Sequence, residues 1–161
     1  MAEVALMEPA PTEHDIARTY ALLGGRGTIR RPVRTSLEVH DLLVTGLPSL
    51  ALLHLAGEVG SLGTKDALDK AIGISLRTLQ RRRKDGEGTV LSIEQGNRTW
   101  KFAEILGRAS EIFGSQDEAE AWLARPAIGL DQRRPIDLMA TTVGAGAVED
   151  YLTRIEYGVH A

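Results

Sequence analysis

Cysteine is missing from this chain of 161 residues, which excludes a disulfide framework and a thiolate zinc site and makes a reducing compartment the natural setting. Long apolar runs are missing too. The longest, Leu47 to Ala56, is broken by Pro48 and His54 and falls far short of the ~20 residues a membrane span needs. The opening stretch, Met1 to Glu8, carries acids and lacks the positive flank of a secretion signal. A soluble cytoplasmic protein with no membrane association is therefore expected.

Catalytic and metal-binding patterns are scarce. The four histidines, His14, His40, His54 and His160, are scattered, with no spacing that suggests metal ligands. Gly24-Gly25-Arg26-Gly27 has neither the lysine-hydroxyl ending nor the preceding strand of a phosphate loop, so it reads as a break between elements. No nucleophile has a base at workable spacing. We therefore expect no enzyme, no metal and no cofactor.

Hydrophobic residues make up 43% and charged residues 25% of the chain, ordinary values for a globular protein of one compact domain, or two small ones sharing a helical core. The net charge of −3 hides an asymmetry: residues 1 to 101 hold 12 acids and 14 bases, residues 102 to 161 hold 10 acids and 5 bases. The bases crowd at Arg77, Arg81, Arg82, Arg83 and Lys84. A dense basic patch on a mildly acidic chain points to a local phosphate contact.

Prolines and glycines through residue 34 predict a mobile segment with one short helix around Ile16 to Leu23. Thr35 with Glu38 then forms a capping-box signature for a helix to about Thr45, stopped by Gly46. Pro48 suits the first turn of the next helix, with Leu50, Leu53 and Ala56 on its buried face. Thr64 suits the cap of a third helix with Ala67, Leu68, Ala71 and Ile72 inward, ending at Gly73. Ser75 would cap a fourth, with Leu76 and Leu79 inward.

Ser92 with Gln95 opens a long helix carrying Phe102, Ala103, Ile105, Leu106, Ala109, Ile112 and Phe113 at helical spacing and ending at Gly114. Ser115 with Glu118 opens another, with Ala119, Trp122 and Leu123 inward, stopped by Pro126. Pro135 starts a short helix. Val148, Tyr151, Leu152 and Ile155 mark the last, whose first turn Glu149-Asp150 would suit. No stretch alternates with period two and no repeat is visible. The fold class is all-α.

A helix-turn-helix needs a small residue in its turn, an apolar residue after it and a cap that aims the second helix. Gly73, Ile74 and Ser75 supply these in order. Ser75, Arg77, Thr78, Gln80, Arg81 and Arg82 are then the candidate DNA-binding residues, hydroxyls and early arginines toward base edges and later arginines toward phosphates. The bland alternative is a solvated helix end, where cations suit the helix dipole; the turn favours the DNA-binding reading. Asp69 departs from the alanine common four residues before the turn glycine.

Trp122 and Tyr151 lie on apolar faces and read as core, whereas Tyr157, near the chain end and followed by glycine, reads as a partner contact. The same order of elements carries a resemblance: Gly73 to Ser75 with Thr78-Leu79 and Arg81-Arg82, then Ala109 to Gly114, Ala121-Trp122-Leu123 with Pro126, Pro135 to Leu138, Gly144, and Leu152 to Gly158. In these the chain resembles the Xre/MbcA/ParS-type antitoxins over roughly residues 36 to 161. Gly96-Asn97 departs from the pattern.

The resemblance implies a helix-turn-helix domain followed by a small helical toxin-binding domain. Residues 1–34 would precede the first, with 35–100 and 101–161 as the two domains. It implies a cognate RES-domain toxin that acts on NAD and is held inactive by a covered cleft, operator DNA as a second partner, and a homodimer within a larger toxin-antitoxin complex. Arg154, Glu156, Tyr157, Gly158, Val159, His160 and Ala161 are the candidate toxin contacts, with charge from Glu149 and Asp150 in support. Arg154 has the alternative of pairing with Glu149 or Asp150. Without a toxin partner, the chain would read as a stand-alone regulator whose last sixty residues dimerise or sense a ligand.

Overall fold

Side-chain caps set where most of the helices begin. In the computed structural model, which describes residues 10–158 except 64, 86 and 87 and the side chain of residue 65, α1 (Glu13–Leu22) opens on a reciprocal box between Thr12 and Asp15. Thr35 accepts from the Glu38 amide to open α2 (Ser36–Thr45), which ends at Gly46. Pro48 stands immediately before α3 (Ser49–Glu58) as its cap residue. Next come α4 (Lys65–Ile72) and α5 (Leu76–Lys84), the latter capped by Ser75. The expected Thr64 cap lies outside the described residues.

Ser92 and Gln95 form the expected box for α6 (Ile93–Phe113), and Ser115 accepts from the Glu118 amide to start α7 (Gln116–Leu123). Two 3-10 turns, Ile128–Leu130 and Pro135–Leu138, lead to α8 (Thr142–Glu156). The described residues contain no strand, only isolated antiparallel bridges at Pro48 with Val90 and Ala127 with Arg133. The all-α expectation holds.

α6 is the axis of the molecule. Thr99, Trp100, Phe102, Ala103, Ile105, Leu106, Gly107 and Ala109 are all buried, because α1, α2, α4, α7 and α8 pack around it. Burying a large apolar side chain such as Phe102 or Leu106 contributes about 1.5–3 kcal/mol.

Several sequence expectations shift. Residues 12–34 hold the short helix but are not loose: Ile16, Leu23, Ile29 and Val33 are buried, and the Tyr20 hydroxyl is shared between the carbonyls of Ile29 (3.2 Å) and Arg31 (2.8 Å). Ile29 and Val33 lie beyond the helix, among glycine, proline and arginine, where no periodic pattern marks them as buried, so composition alone reads the segment as mobile. On α3 the fully buried residues are Ala51, Leu52 and Leu55, while Leu50, Leu53 and Ala56 are half-buried. A run this rich in leucine has no unique face until its neighbours choose one. α8 begins at Thr142, seven residues before Glu149, because Thr141 accepts from the Gly144 amide at 2.9 Å; the small residues Gly144 to Gly146 conceal this start.

Gly144 and Gly96 make opposite demands. A Cβ on Gly144 would collide with the Leu138 carbonyl, whereas one on Gly96 would meet Leu43 Cδ2 at 3.4 Å and Leu47 Cβ at 3.6 Å, ordinary contacts. Gly144→Ala is expected to lower stability by about 1–3 kcal/mol or more through overpacking. Gly96→Ala is expected to raise it by up to about 1 kcal/mol through helix propensity. Urea unfolding midpoints check both signs.

Candidate functional site

The turn between α4 and α5 is closed by residues suited to it. Gly73 takes φ +82°, a left-handed conformation that glycine adopts without strain, and Ile74 is buried behind it. Ser75 Oγ accepts from the Thr78 amide (3.1 Å) and donates to Thr78 Oγ1 (2.9 Å). Ser75 therefore acts as a cap that aims α5, and the Thr78 hydroxyl keeps its own proton to donate elsewhere. Leu79 is fully buried and Leu76 packs against the core.

Arg77, Gln80, Arg81 and Lys84 are exposed and stand at i, i+3, i+4 and i+7, one face of the helix. Lys84, outside the six candidates, joins them by that spacing, which the sequence already contained. Arg83 is exposed on the adjoining face, and no ion pair engages Arg77, Arg81, Arg83 or Lys84 among the described residues. Arg82 differs. It is half-buried and its guanidinium donates to Ser49 Oγ and the Val90 carbonyl, both at 3.4 Å, so it ties α5 to the start of α3. Its expected place on an outer face is corrected: helical rotation turns this one arginine of the run inward.

At the other end of the chain, α6 presents a polar stripe of Lys101, Glu104 and Arg108 to α8. Lys101 Nζ lies 3.2 Å from Glu104 and 3.0 Å from Glu149. Burial pulls the Lys101 pKa down, but the two carboxylates outweigh it and leave the value raised. Arg108 donates to Thr153 Oγ1 (2.7 Å), Glu156 Oε2 (3.0 Å) and the Glu149 carbonyl (3.4 Å). Glu149 and Glu156 are thus used within the fold, which leaves Asp150, exposed, as the carboxylate of that set without an internal ion pair.

Of the candidate toxin contacts, Arg154, Tyr157 and Gly158 are exposed at the end of α8, with Tyr157 75% accessible. Glu156 is held by Arg108. Val159, His160 and Ala161 lie outside the described residues. Arg154 does not pair with Glu149 or Asp150, since Glu149 faces Lys101.

Trp122 is buried between Phe113 (ring centroids 5.3 Å apart) and Tyr151 (6.1 Å, stacked), in keeping with the core reading of both. Sequence reasoning missed the exposed Ile128 and Val143, at 77% and 85%. Large apolar side chains left in water are a signal of partner contact when they cluster, and no period in the sequence betrays them. No group of metal-ligating side chains occurs among the described residues, and no helix among them is long and apolar enough to cross a membrane.

Fold and site together define a helix-turn-helix protein in which one long helix joins the basic module to a second helical module. Residues 38–104 match the antitoxin Xre-like helix-turn-helix domain, and residues 108–158 match the antitoxin Xre/MbcA/ParS C-terminal toxin-binding domain. The chain belongs to the Xre/MbcA/ParS family of antitoxins.

It is 37% identical over 92 residues to an antitoxin Xre of Yersinia enterocolitica, a match covering 56% of this chain and 60% of that one. To antitoxin Xre of Photorhabdus laumondii it is 28% identical over 133 residues, 82% of this chain and 87% of the relative. To antitoxin Xre of Pseudomonas putida the identity is 25% over 124 residues, 77% and 74% of the two chains. The two family matches meet inside α6, between residues 104 and 108.

Arg82→Ala is expected to lower the urea midpoint by the equivalent of about 0.5–1.5 kcal/mol. Arg81→Ala, on the exposed face, should leave the midpoint within error.

Proposed function

We propose that this antitoxin neutralises a RES-domain, NAD-consuming toxin by occluding its active site, and that it binds operator DNA through α5 to repress its own operon. The carrying observation is that one chain presents two unsatisfied surfaces on two modules: the cationic face of α5 and the exposed end of α8 with Arg154 and Tyr157.

Guanidinium and ammonium groups without internal partners are the chemistry that reads phosphates and base edges. A large aromatic left in water beside an arginine is the chemistry of an interface anchor. The toxin contact then runs from Arg154 through Tyr157 and Gly158 into residues 159–161, with Asp150 supplying the negative charge and Glu156 held in place by Arg108. The chain itself is no enzyme in this reading. It works in the cytoplasm, where operon and toxin are both accessible. Exposed Leu37 and Val44 on α2, with Val90 and Ile93, support a homodimer inside a larger toxin-antitoxin complex.

Co-expression with the toxin encoded beside it tests the first half. The full chain should rescue growth and co-purify, and a chain ending at residue 156 should lose rescue while its helical content stays unchanged; intact rescue would move the inhibitory contact onto the helix faces. A neighbouring frame that is neither toxic nor bound would favour a stand-alone regulator.

The second half predicts that Arg77→Ala with Arg81→Ala weakens operator binding and lowers the salt slope by about 1.8, with growth rescue unaffected. Loss of both activities would assign those arginines to folding.

A further inference from the structure

A second cationic surface lies outside the helix-turn-helix. Between Asp15 and Glu38 the chain has no acidic residue, and it carries Arg26, Arg30, Arg31 and Arg34 within nine positions. All four are exposed. Arg26, Arg31 and Arg34 enter no ion pair among the described residues, while Arg30 makes a contact of its own.

The loop that carries them is built in place. Ile29 and Val33 are buried beneath it, the Tyr20 hydroxyl bonds the Ile29 and Arg31 carbonyls, and the Thr28 hydroxyl donates to the Leu23 carbonyl at 2.5 Å. The arginine backbones are thus fixed before any partner arrives, so a partner would have only the side chains to order.

α3 connects this loop to the recognition helix. Its Ser49 accepts from Arg82 of α5, and its His54 lies against Gly24 at the start of the loop. His54 lies five positions after Ser49, about 7.5 Å along the axis, against about 34 Å for one turn of duplex DNA. The anchor points of the two cationic surfaces on α3 therefore lie well within the length of one turn of duplex.

Surface arginines are commonly only solvated. Here a stretch without a single carboxylate gathers four of them on an anchored loop, and this carries the argument further.

We propose that the loop Arg26–Arg34 is a second, sequence-independent phosphate contact, through which Arg26, Arg31 and Arg34 hold the duplex backbone while α5 reads the groove. The proposal rests on the DNA-binding reading of α5. Planar guanidinium groups suit phosphate oxygens bidentately, and such contacts add affinity and position without adding base preference. The family's helix-turn-helix match begins at residue 38, after the loop, so this contact lies outside the matched domain.

The test uses the full-length protein and two duplexes, the promoter region upstream of its own gene and a scrambled sequence of equal length, titrated across a range of salt. The triple variant R26Q/R31Q/R34Q should bind both duplexes roughly 10- to 100-fold more weakly near 0.1 M salt, with a salt slope reduced by about 2 to 3. R26K/R31K/R34K should retain most of the slope, and unfolding midpoints should not move.

Arg77→Ala serves as the control, weakening the promoter duplex more than the scrambled one. Unchanged binding by the glutamine variant while the control weakens would overturn the loop contact and leave the recognition helix standing. Unchanged DNA binding with loss of the toxin complex would assign the loop to an acidic protein surface, again overturning the proposal. Failure of the unsubstituted chain to bind either duplex would remove both readings.

Discussion

The enclosure of α6 is the constraint on which the other elements depend. A helix buried on most of its circumference over Thr99 to Ala109 needs a neighbour on nearly every side, and α1, α2, α4, α7 and α8 are those neighbours. Its three half-buried polar positions in that span, Lys101, Glu104 and Arg108, form a stripe at which α8 is docked by charge. The two family matches meet on this helix. A break in α6 would therefore unseat the basic module and the toxin-facing module together.

Charge is divided by use as much as by number. The acidic part of the chain, residues 102 to 161, spends several of its carboxylates on cations within the fold: Glu104 and Glu149 on Lys101, Glu156 on Arg108, Asp137 on Arg134. Arg134, followed by burial and then by a weaker contribution from Lys70, sets the Asp137 pKa, with the net result below the usual carboxylate range. On α5, by contrast, Arg77, Arg81, Arg83 and Lys84 enter no ion pair among the described residues. The face of α5 thus carries charge of one sign, whereas the second module exposes both signs, Asp117, Glu118, Asp131 and Asp150 beside Arg154, together with apolar residues such as Ile128, Val143 and Tyr157.

What the sequence made legible was local. Caps at Thr35, Ser75, Ser92 and Ser115 are decided by residues three apart, and each appears where a hydroxyl can reach the third amide. The buried face of α6 was legible because polar residues interrupt it at helical spacing. The face of α3 was not, since leucines and alanines occupy six of its ten positions and the choice fell to neighbours such as α5 and the 3-10 turn Gly60–Gly63. Arg82 escaped for the same reason: its partners Ser49 and Val90 are 33 and 8 residues away, and nothing within the arginine run distinguishes it. Among the candidate contacts of the last helix, the pairing of Glu156 with Arg108 was hidden because that partner lies on another helix 48 residues earlier.

The amino-terminal helix shows how far a segment outside the family match can matter. Arg18 lies across Gly107, where any Cβ would press into its side chain, and its guanidinium pairs with Asp15 at 3.0 Å and Glu111 at 2.6 Å. Burial would raise the Asp15 pKa, but the Thr12 amide and hydroxyl and the Arg18 charge outweigh it and leave it lowered. The Arg18 and His14 side chains likewise hold the Glu111 carboxyl below its ordinary range. Both carboxylates therefore stay ionised at neutral pH and keep Arg18 clamped. That clamp sits at Gly107, between the two family matches, so α1 braces α6 at the junction of the two modules. The same α1 carries Tyr20, which fixes the arginine loop. One short helix thus supports both the axis of the fold and the cationic surface beside it, and loosening α1 would disturb the arginine loop and the module junction at once.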